Sequence, residues 1–169
     1  MVPAKQEQNI VVQIAKNFDV PDFDLSKVRK LVKTVCRRFK VSKATVSVAI
    51  VDDAEIRRLN KQFLGRKGAT DCLSFNLSDD TTKGPGRRDP EPGKLFEILV
   101  NGEMAVKEAK LRGHCGQAEL ALYIIHGLLH NLGFDDSAKD KAKKMHDTED
   151  DILQQLGYGL VYNKGTEVL

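Results

Sequence analysis

The sequence of 169 residues contains few cysteines, and their pattern argues against disulfides. Cys36, Cys72 and Cys115 are odd in number, widely spaced and without a C-x-x-C pair. A disulfide framework or a cysteine zinc cage is therefore not expected, and a reducing cytoplasmic environment fits the chain. We expect Cys72 and Cys115 to be thiols of the hydrophobic core.

The chain also lacks a long hydrophobic run, a secretion signal, an internal repeat and a low-complexity tract. Residues 1–13 have no apolar centre and no small-residue cleavage site. The most apolar stretch, 118–134, is interrupted by polar residues and is shorter than the roughly 20 residues that a membrane span needs. We therefore expect a cytoplasmic protein without a membrane segment, in which 118–134 forms a buried helix.

Hydrophobic residues make up 41% of the chain and charged residues 30%, which is typical of a globular protein. The length suits one domain, 1–169. Apolar periodicity predicts an α/β (α+β) fold in which helices pack a sheet of about four strands, with the strand directions left open. The predicted strands are 10–15, 45–51, 71–77 and 95–100. Helices are predicted at 102–111 and 117–132. A further helix carries Ile56, Leu59 and Phe63 on its apolar side, and a last one is capped by Ser137. Residues 79–94, rich in proline and glycine, are predicted to form an exposed loop.

The long apolar helix carries the residues that point to chemistry. His126 and His130 are four residues apart, so both imidazoles lie on one helix face and can reach one metal ion. Gly133 can end the helix in a left-handed conformation and return the chain, which would bring Asp136 to the ion as a third ligand. Three protein ligands leave a fourth zinc position for water, as in catalytic zinc sites.

Other interpretations of the histidines remain open. Two histidines in an apolar helix can be ordinary buried residues that make one hydrogen bond each, and His146 is a rival third ligand. The spacing also matches the H-E-x-x-H-x-x-G-x-x-H motif of metallopeptidases, but Gly127 stands where a peptidase has its general base. Asp135 is expected to be either a turn residue or a partner of a histidine N–H group, a contact that metal-bound imidazoles usually require. Glu149 falls on the apolar side of its helix, where a carboxylate forms either a buried pair or a contact of the same kind.

The segment HGLLHNLGFDD, residues 126–136, resembles the signature H-G-x-L-H-x-x-G-[YF]-D-H of the YbeY family of single-domain metal-dependent endoribonucleases. Four further segments are similar to family motifs: Met145 with Glu149, TDCLSF at 70–75, Leu59-Asn60, and Arg112-Gly-His114. The resemblance covers about residues 46–156. It implies a mixed sheet of four strands, one zinc ion held by three residues, and single-stranded RNA as the substrate. It further implies a role in ribosomal RNA processing and ribosome quality control, at the small subunit.

Two departures from the family pattern bear on mechanism. The family's third histidine aligns with Asp136, which is also a legitimate zinc ligand. The family's arginine in its Y-R-G-K segment aligns with Leu64, and Arg66 or Lys67 in the same turn can take over the stabilisation of phosphate charge. His114 is expected to line the cleft. Loss of the arginine leaves a second interpretation open, an RNA- or ribosome-binding factor that keeps zinc without cleaving.

Residues 27–43 contain eight lysines or arginines and no acidic residue. Most of them fall opposite the apolar stripe of the predicted helix, so this face either contacts an RNA backbone or is simply solvated. Only Phe39 interleaves with the charges, and it is expected to point to the core. Base stacking is therefore not predicted there.

Overall fold

The computed structural model describes residues 8–78, 93–159 and 161, and it contains the strands and helices that the periodicity predicts. In chain order they are β1 (Asn9–Lys16), α1 (Leu25–Arg38), β2 (Lys43–Val51), α2 (Asp53–Leu64), β3 (Cys72–Asn76), β4 (Lys94–Asn101), α3 (Gly102–Arg112), α4 (Gly116–Asn131) and α5 (Lys139–Gln155). The loop predicted at 79–94 lies almost wholly outside the described residues, and Lys94 already begins β4.

The four strands form one mixed sheet in the order β1-β2-β4-β3. β1, β2 and β4 are parallel, while β3 pairs antiparallel with β4 and lies at one edge of the sheet. Val48 of β2 stands opposite Ile98 of β4, and Ser74 of β3 lies on the other side of Ile98. The fold class predicted from the sequence is confirmed.

The helices cover the two faces of the sheet unequally. One face carries the larger core, to which α1, α4 and α5 contribute Leu31, Ile124 and Ile152. The other face is covered by α2, whose Ile56 packs with Leu73 of β3 in a smaller cluster. Because α4 lies between the sheet and other helices, it is buried around almost its whole circumference, as its apolar sequence predicts. No helix among the described residues is long and apolar enough to cross a membrane.

Two local predictions are wrong. Ser137 does not cap α5: Ala138 is the N-cap, and the Ser137 backbone N–H and hydroxyl both donate to the Asp135 carboxylate at 2.8 and 2.7 Å. This local turn satisfies the serine before the helix starts. Cys115 is exposed at the N-cap of α4, because the chain enters this helix from the surface. Cys72 is half-buried as a residue, but desolvation of its sulfur raises the pKa of its thiol well above the usual range.

Candidate metal centre

The two histidines lie on the last turns of α4, where that helix reaches solvent. Their side chains are 18% (His126) and 32% (His130) exposed. The helix ends at Leu132, and Gly133 follows with a φ of +100°, a conformation that glycine adopts without strain. The Phe134 N–H then donates back to the Leu129 carbonyl at 2.9 Å. This reversal returns Asp136 to the histidines, as the sequence predicts.

Three potential ligand atoms converge at this point. The Nε2 atoms of His126 and His130 are 3.1 Å apart, and Oδ2 of Asp136 lies 3.7 Å from the first and 3.5 Å from the second. In a tetrahedral zinc site with bonds of about 2.0–2.1 Å, ligand atoms are about 3.3 Å apart. The three residues could therefore hold a metal ion with little rearrangement.

The hydrogen bonds of the two Nδ1 atoms determine the tautomer of each imidazole. Nδ1 of His126 donates to Oε1 of Glu149 at 2.6 Å, and Nδ1 of His130 donates to the carbonyl of Phe134 at 3.1 Å. In neutral imidazoles with a proton on Nδ1, both Nε2 atoms carry lone pairs. Two acceptors and a carboxylate oxygen then face one another, and a bound cation satisfies all three. A pair of ordinary buried histidines would not need this arrangement.

Glu149 on α5 supports the pair from the neighbouring helix. Its side chain is 1% exposed, and its second oxygen, Oε2, lies 3.0 Å from Nδ1 of His146. The His146 ring stacks beside the His126 ring, with centroids 6.4 Å apart. Burial alone would lower the pKa of His126, but the hydrogen bond and charge of Glu149, with Asp71 and Asp136, outweigh it and raise that pKa. His146 is thus placed on Glu149, and it does not belong to the cluster of converging atoms found among the described residues.

Gly127 has a packing role that the sequence did not reveal. A Cβ at this position would lie 2.7 Å from the Cys72 Sγ and 3.0 Å from the Ile98 Cγ2. At Gly127, α4 therefore packs directly against β3 and β4. A glutamate at Gly127 could not project into a cleft from here, so the general base of a metallopeptidase has no place in this packing.

His114 lies at the other end of α4. Its Nε2 contacts the carboxylate of Glu119, which is 1% exposed and also lies 3.7 Å from Nη1 of Arg112. Glu119 precedes His126 by seven residues, about 10 Å along the helix axis. His114 therefore does not touch the converging ligand atoms, and a role in lining the cleft stays a prediction.

The turn after α2 holds the predicted phosphate-binding cations. Leu64 is the last residue of this helix and is 47% exposed, and Arg66 and Lys67 follow it on the surface. Buried Asn60 fixes the turn, since its Nδ2 donates to the Gly68 carbonyl at 3.1 Å. Within the described ranges neither cation forms an ion pair, and neither contacts the histidines. Their catalytic role stays a prediction.

The buried helix, the mixed sheet and three converging ligand atoms with an open side define a domain of the metallohydrolase type. The model of the family Endoribonuclease YbeY matches residues 12–157. The chain is 35% identical over 135 residues to endoribonuclease YbeY of Halalkalibacterium halodurans, covering 77% of this chain and 84% of the relative. It is 37% identical over 115 residues to endoribonuclease YbeY of Moorella thermoacetica, covering 68% and 74%. The chain belongs to the YbeY endoribonuclease family.

A solved structure supports the fold. The solution structure of a protein from Thermotoga maritima matches with a TM-score of 0.56 and 23% sequence identity, covering 86% of this chain and 89% of that one. At this identity the likeness speaks for the arrangement of strands and helices alone.

Proposed function

We propose that the protein is a zinc-dependent endoribonuclease that cuts single-stranded RNA. We further propose that it acts in the cytoplasm, on ribosomal RNA at the small subunit, in rRNA maturation and ribosome quality control. The observation that carries the metal centre is the convergence of two acceptor nitrogens and one carboxylate oxygen at 3.1–3.7 Å. Membership of an endoribonuclease family supports the substrate class. Three free thiols among the described residues favour a reducing compartment.

The residues of the site can hold a metal ion and still leave room for a substrate. When bound, zinc supplies a Lewis acid that acidifies a water molecule and polarises a phosphoryl oxygen. His126, His130 and Asp136 would hold it, and because Asp136 is 42% exposed the ion would be reachable from solvent. Glu149 holds His126 in the tautomer that presents Nε2 to the metal.

Charge that grows on the phosphate oxygens needs a cation, and Arg66 is our candidate, with Lys67 as its neighbour. The planar guanidinium of Arg66 can bind two phosphate oxygens at once. Its turn leads directly into β3, which packs against α4. The turn therefore lies next to the strand against which α4 packs, which supports the choice of these cations.

A second candidate function is an RNA- or ribosome-binding factor that retains the metal for shape. The observation that favours it is Leu64, an exposed leucine where the family has an arginine. A metallopeptidase is disfavoured, because the packing around Gly127 leaves no room for a glutamate.

The deciding experiment combines metal content with single-turnover cleavage of single-stranded RNA, with and without chelator. We expect about one zinc ion per chain and chelator-sensitive cleavage, and we expect His126→Ala and His130→Ala each to lose the metal. Full zinc stoichiometry in both variants would refute the assignment of the ligands.

Two variants in the turn separate the enzyme from the binding factor. Arg66→Ala should slow cleavage about a hundredfold with zinc still bound, the usual cost of losing one charge-stabilising group. Leu64→Arg should raise the rate. If wild-type protein cleaves no RNA and Leu64→Arg creates cleavage, the binding-factor interpretation is correct. If Arg66→Ala cleaves at the wild-type rate, the cation lies elsewhere.

A further inference from the structure

Two aromatic rings, exposed Phe63 and half-buried Phe75, lie beside the predicted phosphate-binding turn. The sequence places Phe63 on the apolar side of α2 with Ile56 and Leu59, but the Phe63 side chain extends past the core and is 57% exposed. Its ring meets the ring of Phe75 on β3 edge to face, with centroids 5.7 Å apart. Leu77, two residues after Phe75, is also exposed, at 52%. Apolar surface gathered in this way, unlike scattered single residues, indicates a binding site.

The position of β3 connects this pair to the metal centre. Side chains alternate along the strand, so Phe75 faces α2, while Ser74 and Asn76 face α4. Nδ2 of Asn76 lies 3.4 Å from the carbonyl of Asn131, which directly follows His130. The aromatic pair and the metal-binding turn of α4 therefore lie on opposite sides of one edge strand. A single strand of RNA that crosses this edge can contact both.

The surrounding charge identifies the kind of ligand. From residue 61 to residue 70 the chain has three basic residues, Lys61, Arg66 and Lys67, and no acidic one, and all three are exposed. The acidic neighbour of the pair is Glu97, which stands opposite Phe75 in the β3–β4 ladder, so the cations lie on the Phe63 side. Aromatic rings next to cations are how proteins bind single-stranded nucleic acids, since the rings stack on bases and the cations follow the backbone.

At the end of α1, the guanidinium of Arg38 also lies over an aromatic ring, 5.9 Å from the Phe39 centroid. That ring is half-buried and packs against Phe134 with centroids 5.5 Å apart, so it is less accessible to a base than Phe63.

We propose that Phe63 and Phe75 form a stacking subsite for an unpaired nucleobase of an RNA strand, next to the cations of the 61–67 segment. The choice of RNA as the ligand rests on the proposed function. The subsite itself can be tested by a binding signal that does not depend on RNA cleavage. Phe63 is the stacking ring, and Phe75 holds it in place through the edge-to-face contact. Any base can occupy such a subsite, because every base has a π-face.

The test uses the absence of tryptophan from the chain. Phe63→Trp introduces a fluorophore at the subsite, and a single-stranded oligoadenylate should quench it by stacking. An abasic phosphodiester chain of equal length should bind through phosphate contacts without quenching. Quenching should persist after chelation of the metal, because the pair lies on the other face of β3. Equal quenching by both probes, or by neither, would overturn the proposal.

A second experiment measures the affinity for each probe at a fixed salt concentration. Phe63→Leu should weaken oligoadenylate binding about 5- to 150-fold, the worth of one stacked base, and leave the abasic chain unaffected. Phe63→Tyr, which keeps the ring, should bind within about twofold of wild type. Leu111→Ala is a matched control, since Leu111 is an exposed apolar residue on α3. Unchanged affinity in Phe63→Leu would refute the nucleobase subsite.

The result is separable from the enzymatic proposal. If Phe63→Trp is quenched by oligoadenylate but the wild-type protein cleaves no RNA, the subsite stands and the nuclease proposal fails. If the wild type cleaves RNA and Phe63→Leu binds oligoadenylate unchanged, the nuclease proposal stands and the subsite fails.

Discussion

Glu149 offers the sharpest test of how the metal centre is built. Its carboxylate is buried, with one oxygen 2.6 Å from Nδ1 of His126 and the other 3.0 Å from Nδ1 of His146. Glu149→Gln keeps the shape of the side chain and removes its charge. An amide oxygen accepts the His126 N–H more weakly and makes the imidazole a poorer donor to the metal. We expect zinc affinity to fall about 10- to 100-fold, the usual effect of losing such a partner.

That factor corresponds to about 1.4–2.7 kcal/mol of binding free energy. It can be measured by competition between the protein and a chromogenic chelator. Glu149→Ala should also destabilise the metal-free protein by about 1–3 kcal/mol, measured by urea denaturation, because the Nδ1–H of the mostly buried His126 loses its acceptor. Asp147→Asn is the matched control: Asp147 lies on the same helix, is 56% exposed and pairs with Lys143. If Glu149→Gln binds zinc as tightly as this control, the carboxylate does not tune His126 and the reasoning is refuted.

Three more predictions follow from the geometry. Asp136→Ala should weaken zinc binding strongly in equilibrium dialysis, while His146→Ala should stay within a few fold of wild type, and the reverse order would move the third ligand to α5. Gly127→Ala should lower the free energy of unfolding in urea by about 1–3 kcal/mol, because its Cβ would lie 2.7 Å from a sulfur atom, and an unchanged midpoint would contradict this packing. Ellman's reagent near pH 8 should react rapidly with exposed Cys115 and slowly with Cys36, whose pKa burial raises to about 11, and a Cys115→Ser variant that keeps the rapid phase would contradict this.

The sequence predicted those parts of the site that depend on local geometry. A four-residue spacing on a helix fixes the distance between His126 and His130 whatever surrounds them. Gly133 similarly marks a chain reversal of known direction, which is why the return of Asp136 to the histidines was predictable from residue order alone. The strands and helices followed from apolar periodicity in the same way.

Contacts between segments that are distant in the sequence could not be predicted from the spacing of residues along the chain. Glu149 lies 23 residues from His126, and its position on the apolar side of its helix was compatible with several buried partners. Only the packing of α5 against α4 brings its carboxylate under the ring. Phe63 fits the apolar stripe of α2, but it lies outside the smaller core cluster and is 57% exposed, which depends on how α2 packs on the sheet. Ser137 had the right residue type for a cap, and a local turn to Asp135 took its hydrogen bonds instead.

Three segments of the chain contribute residues to the site. α4 contributes the histidines from the core, the 132–138 loop contributes Asp136 and the Phe134 carbonyl, and α5 contributes Glu149. A metal ion held by the two histidines and Asp136 would stabilise only the folded arrangement, since the unfolded chain holds these ligands apart. At a metal concentration a hundredfold above its dissociation constant this linkage is worth about 2.7 kcal/mol, a large share of the stability of an ordinary domain. The 132–138 loop should gain most, because the Asp136 side chain is 42% exposed while the histidines are fixed on a buried helix.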